Sequence, residues 1–256
     1  MATDKPSSPQ TVRSVERAID LLQVIERANE PLRLVDLCRE SGLHAATALR
    51  ILHPLQERGL VVAENQTYRL GISVLRLTHR FLVGDPLSQF ARPMMQQLTA
   101  RTGLTSSLHI RDSFERVLAV RVDGANQLDY QAPIGRWLPL YNGSGKAIAA
   151  FLPAEELEEV IQRGTGYVQA NGTELTEEAL RADLDAIRRH GYHLSLAERD
   201  LDVVAAAVPI TSPDGAIAGA LSISGPAART TREDLEGLVP QLKTIGDRIS
   251  HRRSYG

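Results

Sequence analysis

The sequence predicts an α+β fold in two parts, a small helical N-terminal module that closes with a β-hairpin and a larger C-terminal domain in which helices pack on an antiparallel sheet. Two observations predict this. Up to about Leu55 the apolar residues recur at helical spacing, and two short strand-like runs follow them. Beyond the break at Gly84-Asp85-Pro86, strand-like runs are interspersed with amphipathic helical segments.

The overall composition is that of a soluble globular protein. Apolar residues make up 43% of the 256 positions and charged residues 23%, and no apolar run approaches the roughly 18 residues of a membrane span. Residues 1–10 are polar and include two prolines, so we expect a flexible tail, no secretory signal, no membrane association and a cytoplasmic location. Cys38 is the only cysteine, which excludes an intramolecular disulfide.

The two parts of the chain differ in charge. Residues 1–83 carry a net charge of +2, whereas residues 84–256 carry a net charge of −4. This modest asymmetry is compatible with a DNA-binding module attached to an acidic partner domain, and equally with an ordinary solvated face.

Three helices are predicted in the N-terminal module. The first has one apolar face, formed by Val15, Ala18, Ile19, Leu22 and Ile25. It is expected to end before Pro31, because proline disfavours helical backbone in the preceding residue. A second helix is predicted over Leu34–Glu40 and a third from about His44, with Gly42 in the turn between them. Two helices joined by a short glycine turn make a candidate helix-turn-helix.

The third helix carries the candidate DNA-reading residues. Its buried stripe is predicted to be Ala48, Ile51, Leu52 and Leu55. The candidates for the major groove of DNA are Ala45, Ala46, Thr47, Arg50 and His53. Thr47 and Arg50 are the strongest of these, and arginine in particular donates to guanine or to phosphate. Pro54 lacks a backbone N–H and is expected to kink or shorten the helix.

A wing is predicted after the third helix. The runs Leu60–Ala63 and Thr67–Leu70 are typical of two short strands around a polar turn, and Arg69 on the second is placed to contact a phosphate. Periodicity alone leaves a second interpretation open, in which a three-helix module with a hairpin binds another protein instead of DNA.

The rest of the chain predicts a linker and a larger domain. A helix over Ile72–Phe81 is the natural linker, which divides the chain into a tail (1–10), a winged helix-turn-helix domain (11–71), a linker helix (72–85) and a C-terminal domain (86–256). Strands are predicted at Thr105–Ile110, Arg116–Val122, Leu128–Ala132, Tyr192–Leu196, Val203–Ile210 and Ala216–Ser224. Helices are predicted at Leu87–Arg101, Ser144–Leu152, Ala154–Gln162 and Thr176–His190, and a last one begins with capping-box spacing between Thr230 and Glu233.

The sequence resembles the IclR family of bacterial transcriptional regulators along both parts. In the N-terminal module the resemblance lies in Ser14–Ala18, Leu22, Gly42-Leu43, Thr47, Arg50, Arg58–Val61 and Tyr68–Gly71. In the C-terminal domain it lies in Gly135–Leu140, Gly145–Ala147, Gly191-Tyr192 and Ala220–Pro226. Ala46 departs from the serine that the family commonly has there.

This resemblance implies a GAF-like effector-binding domain that responds to a small organic acid or aromatic metabolite. It also implies a homodimer or homotetramer on double-stranded operator DNA. The implied effector cavity draws on Gly143, Ser144, Val203, Ala205, Ser222 and Ser224, with Ser107, His109, Gly145 and Tyr130 as further candidates. The spacing of Ser222 and Ser224 supports it, because side chains two residues apart share a face of a strand. The alternative is that these hydroxyls bond to neighbouring backbone.

The run Gly143-Ser144-Gly145-Lys146 lacks the earlier glycine and the hydroxyl residue after lysine that a phosphate-binding loop needs. A glycine-containing turn that opens a helix still exposes backbone N–H groups, which suits the carboxylate of an effector. The alternative is a turn that only packs helix on sheet. Lys146 is as consistent with a structural or solvent-facing position as with a ligand contact.

No catalytic constellation is predicted. His190 and His193 are the only close histidine pair, and no third metal ligand accompanies them. Neither a metal, a cofactor nor an enzymatic activity is therefore expected. The resemblance to the IclR family implies a ligand-responsive, DNA-binding repressor of a catabolic operon. The competing interpretation is a small-molecule sensor whose N-terminal module docks a protein partner.

Overall fold

The computed structural model describes residues 12–126 and 132–251 and divides the chain into two compact units, with the boundary in the sequence between Val83 and Gly84. The predicted tail, Tyr130 and almost all of the predicted strand Leu128–Ala132 lie outside the described residues. No helix of the described part is both long enough and apolar enough to cross a membrane. The predicted α+β class is confirmed.

The first unit is a three-helix module with a small sheet and a trailing helix. Its elements are α1 (Arg13–Arg27), β1 (Leu32–Arg33), α2 (Leu34–Ser41), α3 (Ala45–Glu57), β2 (Val61–Glu64), β3 (Thr67–Leu70) and α4 (Ser73–Gly84). The sheet has the order β1-β3-β2. Its core is formed by Leu21, Ile25, Leu37, Ala48, Leu52, Leu55 and Val61. The apolar stripes of α1, α2 and α3 thus meet in one core, which fixes α3 against the other two helices.

Two turns of this unit use left-handed backbone. Gly42 ends α2 with φ +67°, a conformation that glycine adopts without steric cost. Asn65 and Gln66 connect β2 to β3 with φ of +50° and +62°, which gives the tight hairpin of a wing. The expectation that Pro54 shortens α3 is wrong, because the helix continues through it to Glu57. The proline stands in the last turn of α3, where few helical residues follow it.

The second unit contains the larger sheet. Its strands are β4 (Thr105–Asp112), β5 (Glu115–Val122), β6 (Trp137–Pro139), β7 (Tyr167–Val168), β8 (Glu174–Leu175), β9 (His193–Leu196), β10 (Val203–Thr211) and β11 (Ile217–Pro226). Its helices are α5 (Pro86–Thr102), α6 (Lys146–Ala149), α7 (Ala154–Gly164), α8 (Glu177–His190) and α9 (Arg232–Ser250). The main sheet is antiparallel with the order β6-β5-β4-β11-β10-β9, and β7 pairs only with β8.

Helices cover both faces of the main sheet. One face packs against α5 and α9, where Leu98, Leu108, Leu221 and Leu242 are completely buried. The other face contributes Ala207 and Ala220 to a second core, which it shares with α6, α7 and α8. This second face also carries polar side chains beside that core, and a polar cluster on a largely buried sheet face needs partners.

Two sequence expectations for this unit need correction, and three short strands were not predicted. The helix predicted over Ser144–Leu152 is present but shorter: a 3₁₀ turn over Gly143–Gly145 leads into α6, which ends at Ala149. The capping box of α9 lies one residue later than predicted, with Thr231 as the N-cap and Asp234 as its reciprocal partner. The strands β6, β7 and β8 were not predicted, because two or three residues are too few to show an alternating pattern.

Candidate functional site

The predicted DNA-reading residues lie on one exposed part of the first unit. Ala45, Ala46, Arg50 and His53 of α3 are exposed and Thr47 is partly so. Ala48, Leu52 and Leu55 are buried, as their helical spacing predicts, whereas Ile51 is only partly buried. Arg69 is exposed on β3, the second strand of the wing.

The basic side chains of this surface differ in whether a carboxylate lies close enough to offset their charge. Arg69 lies 3.6 Å from the carboxylate of Glu64 across the wing, and His53 lies 3.7 Å from Glu57 one turn along α3. Arg50 forms no ion pair or hydrogen bond with any residue that the structure describes. Its guanidinium therefore keeps all of its donors for another molecule.

A cavity opens on the polar part of the main sheet in the second unit. Its volume is about 70 Å³, and several residues expected at an effector cavity line it: Ser107, His109, Gly143, Ser144, Val203, Ala205, Ser222 and Ser224. Gly145 does not line it, and Tyr130 lies outside the described residues. A side chain at Gly145 would overlap Arg116 and the carbonyl of Pro139, so this glycine is required by close packing.

The strand register explains why these side chains meet. Ser224 on β11 is opposite Thr105 on β4 and Ala205 on β10, and Ala205 is opposite Ser195 on β9. These four residues form one row across four strands. One step along, Ser222 is opposite Ser107, and Ser107 is opposite Arg121 on β5. Directly opposed residues share a face, so both rows point into the cavity.

The sequence reasoning missed the charged residues of the cavity, namely Arg116, Arg121, Arg199 and Asp200. Arg116 and Arg121 are five residues apart, and on a regular strand they would point to opposite faces. The register shifts between Leu108 and His109, which leaves one extra residue in β5. This β-bulge brings both arginines to the cavity face. No alternation count along β5 could have revealed it.

Arg116 is the most buried cation of the cavity, with 1% of its surface exposed. Its Nη1 donates to the carbonyl of Pro139, and its Nε has no hydrogen-bond partner among the described residues. Burial and the charge of Arg199 lower the pKa of Arg116 to about 9, although Glu198 opposes the shift. The guanidinium is thus charged at neutral pH and incompletely satisfied.

His109 lies beside this arginine in the cavity wall. It is 6% exposed, and its Nδ1 has no hydrogen-bond partner among the described residues. Burial, followed by the charges of Arg116 and Arg199, holds the pKa of His109 well below its usual range. The imidazole is therefore neutral at physiological pH and offers one donor and one acceptor nitrogen.

A buried ionic network lies directly behind the cavity. Lys146 Nζ is 2.7 Å from Asp183 Oδ2 and 3.0 Å from Glu198 Oε2. Glu198 also contacts His193 Nε2 at 2.9 Å and accepts from the backbone N–H of Gly143 at 3.1 Å. Burial alone would raise the pKa of Glu198, but the hydrogen bond from His193 and the charges of His193 and Lys146 together lower it to about 2.

This network assigns structural partners to two groups that the sequence left open. Lys146 is 1% exposed and bound to two carboxylates, so its position is structural. The N–H of Gly143, expected to suit an effector carboxylate, is already bonded to Glu198 of the same chain. The cavity therefore offers free donors on Arg116, which has no ion pair among the described residues, whereas Arg121 is paired with Asp123 and the N–H of Gly143 with Glu198.

Within 12–126 and 132–251, no group of three or more histidine, cysteine, aspartate or glutamate side chains is arranged to hold a metal ion. His193, one of the two histidines considered for such a site, is bound to Glu198.

Family models match both units. Residues 14–64 match the IclR helix-turn-helix domain, and residues 79–251 match the model described as bacterial transcriptional regulator IclR C-terminal. The two matches together cover most of the chain.

Whole proteins of known role are similar over almost their full lengths. The HTH-type transcriptional regulator XynR of Escherichia coli is 31% identical over 251 residues, which covers 95% of this chain and 98% of XynR. The HTH-type transcriptional repressor AllR of Escherichia coli is 29% identical and covers 90% of this chain and 86% of AllR. The crystal structure of an IclR transcriptional regulator from a Silicibacter species has a TM-score of 0.81 at 27% identity, covering 93% of this chain and 95% of that one.

Proposed function

The chain belongs to the IclR family of bacterial transcriptional regulators, and on that premise we propose that a small carboxylate held in the cavity of the second unit controls its binding to operator DNA. Proteins of this family regulate transcription by binding DNA and are not enzymes. The chain is thus a DNA-binding transcriptional regulator. Its effector, its operator contacts and the sign of its regulation belong to the proposal.

The single observation that carries the effector proposal is Arg116. A buried guanidinium with an unpaired Nε in a cavity wall is a costly arrangement unless a partner completes it. A carboxylate is the partner that a guanidinium binds best, through two parallel hydrogen bonds. The charge of Arg199 beside the cavity adds to the attraction for an anion.

Control of DNA binding requires that the effector distinguish two arrangements of the protein. A ligand that binds both equally shifts nothing, however tightly it binds. In our proposal the loop that follows Glu198 is the responsive part, because Arg199 and Asp200 line the cavity while Glu198 is tied to Gly143 and Lys146 behind it. The protein acts in the cytoplasm as a homo-oligomer that presents two copies of α3 to a pseudo-palindromic operator.

For the DNA contact we propose Arg50 as the principal base- or phosphate-binding residue, with Ala45, Ala46 and Thr47 at the same groove and His53 and Arg69 at its margins. Arg50 is exposed and unpaired among the described residues, whereas His53 and Arg69 have acidic neighbours. We propose repression as the sign of regulation, as in the similar transcriptional repressor AllR.

The test is a gel shift on the intergenic DNA upstream of the chain's own gene. Replacing Arg50 with alanine is expected to weaken specific binding by about 1–3 kcal/mol, or roughly 5- to 150-fold. The matched control is Arg27→Ala, which removes an exposed arginine at the end of α1, outside the helix-turn-helix. Equal losses in both variants, or no salt-sensitive and sequence-selective shift at all, would exclude the proposed DNA contact.

The effector half is tested in the same assay with a broad panel of small carboxylates. We expect at least one acid to change the shift of the wild-type protein and to lose its effect in Arg116→Gln. The control is Arg181→Gln on α8, which removes a surface arginine paired with Glu158 and Glu177, outside the cavity. A response that survives in Arg116→Gln would place the effector elsewhere.

A further inference from the structure

Resting on the proposed effector site, we propose that the effector is a non-aromatic carboxylate that carries two or more hydroxyl groups, as sugar acids do. Its carboxylate lies on Arg116 and its hydroxyls on the serines of the sheet.

Hydroxyl groups dominate the wall of the cavity. The hydroxyl-bearing residues that line it are Thr105, Ser107, Ser144, Ser195, Ser222 and Ser224. The Thr105 hydroxyl accepts from the N–H of Gly124 at 3.1 Å, and that of Ser222 donates to the Ser107 carbonyl at 3.5 Å. The side-chain hydroxyls of the other four make no hydrogen bond to any described residue. They are available to a ligand in the cavity.

These free hydroxyls are spread across the sheet. Ser224 and Ser195 belong to the same row and stand on either side of Ala205, and Ser107 lies in the next row. Because adjacent strands are about 4.8 Å apart, one hydroxyl on a ligand cannot reach all three side chains. A ligand that satisfies them carries several hydroxyls along a carbon chain.

Arg116, which has no ion pair with a described residue, lies at one end of this arrangement. Arg121 is opposite Ser107 within the serine rows, but its charge is compensated by Asp123 at 2.7 Å. Arg116 on β5 and His109 on β4 both lie beyond the pair Ser107–Arg121, on the side away from Thr105. His109 is opposite Leu118. The neutral imidazole can donate to or accept from a hydroxyl near the bound carboxylate. The cavity thus has a carboxylate-binding end and a hydroxyl-binding end.

An aromatic or plain aliphatic acid fits this wall poorly. No phenylalanine, tyrosine or tryptophan is among the described residues that line the cavity, and its apolar lining is limited to residues such as Leu118, Leu138 and Val203. An unsubstituted ring or chain would remove water from the free hydroxyls without replacing its hydrogen bonds. A site built to bind hydroxyl groups rejects an analogue that lacks them by a factor on the order of 10⁴.

The experiment is isothermal titration of the full-length protein with matched acids. Aldonates of four to six carbons are compared with hexanoate, which lacks hydroxyls, and with 4-hydroxybenzoate, which is aromatic. We expect one or more aldonates to bind and hexanoate and 4-hydroxybenzoate to bind at least 100-fold more weakly. The bound aldonate is also expected to change the gel shift on operator DNA.

Serine variants test the hydroxyl end without disturbing Arg116. Ser195→Ala and Ser224→Ala are each expected to weaken aldonate binding about 3- to 10-fold, the equivalent of one hydrogen bond. The control is Ser212→Ala, which lies at the turn between β10 and β11, outside the cavity. Unchanged aldonate affinity in both cavity variants would overturn the inference.

The two proposals fail in different ways. If hexanoate or 4-hydroxybenzoate binds in an Arg116-dependent manner and no aldonate does, the hydroxylated ligand is wrong while the carboxylate site stands. If no acid of any class binds, and DNA binding responds to none of them, the effector site itself is wrong.

Discussion

Replacing Lys146 with methionine tests which of its two ion pairs behind the cavity contributes more to stability: the shorter one, to Asp183, or the more buried one, to Glu198. The shorter contact of Lys146 is to Asp183 at 2.7 Å, and the longer is to Glu198 at 3.0 Å. The side chain of Asp183 is 45% exposed, however, whereas that of Glu198 is only 10% exposed. We expect burial to decide, because solvent screens the exposed pair.

The magnitudes follow from these exposures. Breaking a buried ion pair costs about 3–5 kcal/mol, because it leaves an uncompensated charge. Glu198 keeps His193 and the N–H of Gly143 when Lys146 is lost, so the cost of Lys146→Met lies near 3 kcal/mol. The pair with Asp183 contributes no more than about 1 kcal/mol.

Urea unfolding followed by tryptophan fluorescence measures these values in the full chain. Trp137 is the only tryptophan and lies on β6, so its emission reports the second unit. Double-mutant cycles with Glu198→Gln and Asp183→Asn separate the two couplings. We expect a coupling of about 2 kcal/mol for Lys146 with Glu198 and below 1 kcal/mol with Asp183. A Lys146–Asp183 coupling equal to or above the other would refute the reasoning.

Two further predictions concern the same region. The pKa of Glu198 is lowered from 4.5 to about 2, so its ionisation stabilises the fold above pH 4.5 and that stability is lost as the pH falls towards 2. The stability difference between wild type and Glu198→Gln should therefore shrink by about 3 kcal/mol over this range in urea titrations, and a difference independent of pH would contradict it. Gly145→Ala should destabilise the second unit by about 1–3 kcal/mol and weaken acid binding, because its Cβ would press on Arg116 and lie 2.6 Å from the Pro139 carbonyl oxygen. Gly237→Ala, with open space at its Cβ in α9, should leave the free energy of unfolding unchanged or raise it slightly in the same urea titrations.

Local patterns in the sequence were sufficient to predict most of the helices and the long strands. Helical spacing predicted the first, second and third helices of the N-terminal module, and the glycine at position 42 does take the left-handed conformation expected of it. The long strands β4, β5, β10 and β11 were also predicted, because each contains a strand-like run of six or more residues. The signals that sufficed are those that act over a few neighbouring residues.

Of the residues that line the candidate site, the sequence predicted the uncharged ones and not the arginines. The two-residue spacing of Ser222 and Ser224 correctly placed both on one face of β11. Arg116 gave no such signal, since an arginine in a strand is usually an exposed residue. Its burial depends on Gly145 and Pro139, which reach it from a segment more than twenty residues away.

Glu198 and Lys146 illustrate a second limit. They are separated by more than fifty residues, and their pairing follows from the packing of α6 against the segment after β9. No periodicity within either segment encodes such a contact. The capping box of α9 failed for a smaller reason, because two adjacent threonines and two adjacent acids allow two registers and only the folded chain selects Thr231 with Asp234.

The bulge in β5 has a consequence for how related proteins can acquire new ligands. The face that Arg121 presents depends on one extra residue in the strand, opposite Leu108 and His109. Loss of a single codon there would turn Arg121 away from the cavity, while every strand and core helix kept its place. Ligand preference can therefore change between relatives through an insertion or deletion that substitution-based comparison records only as a gap.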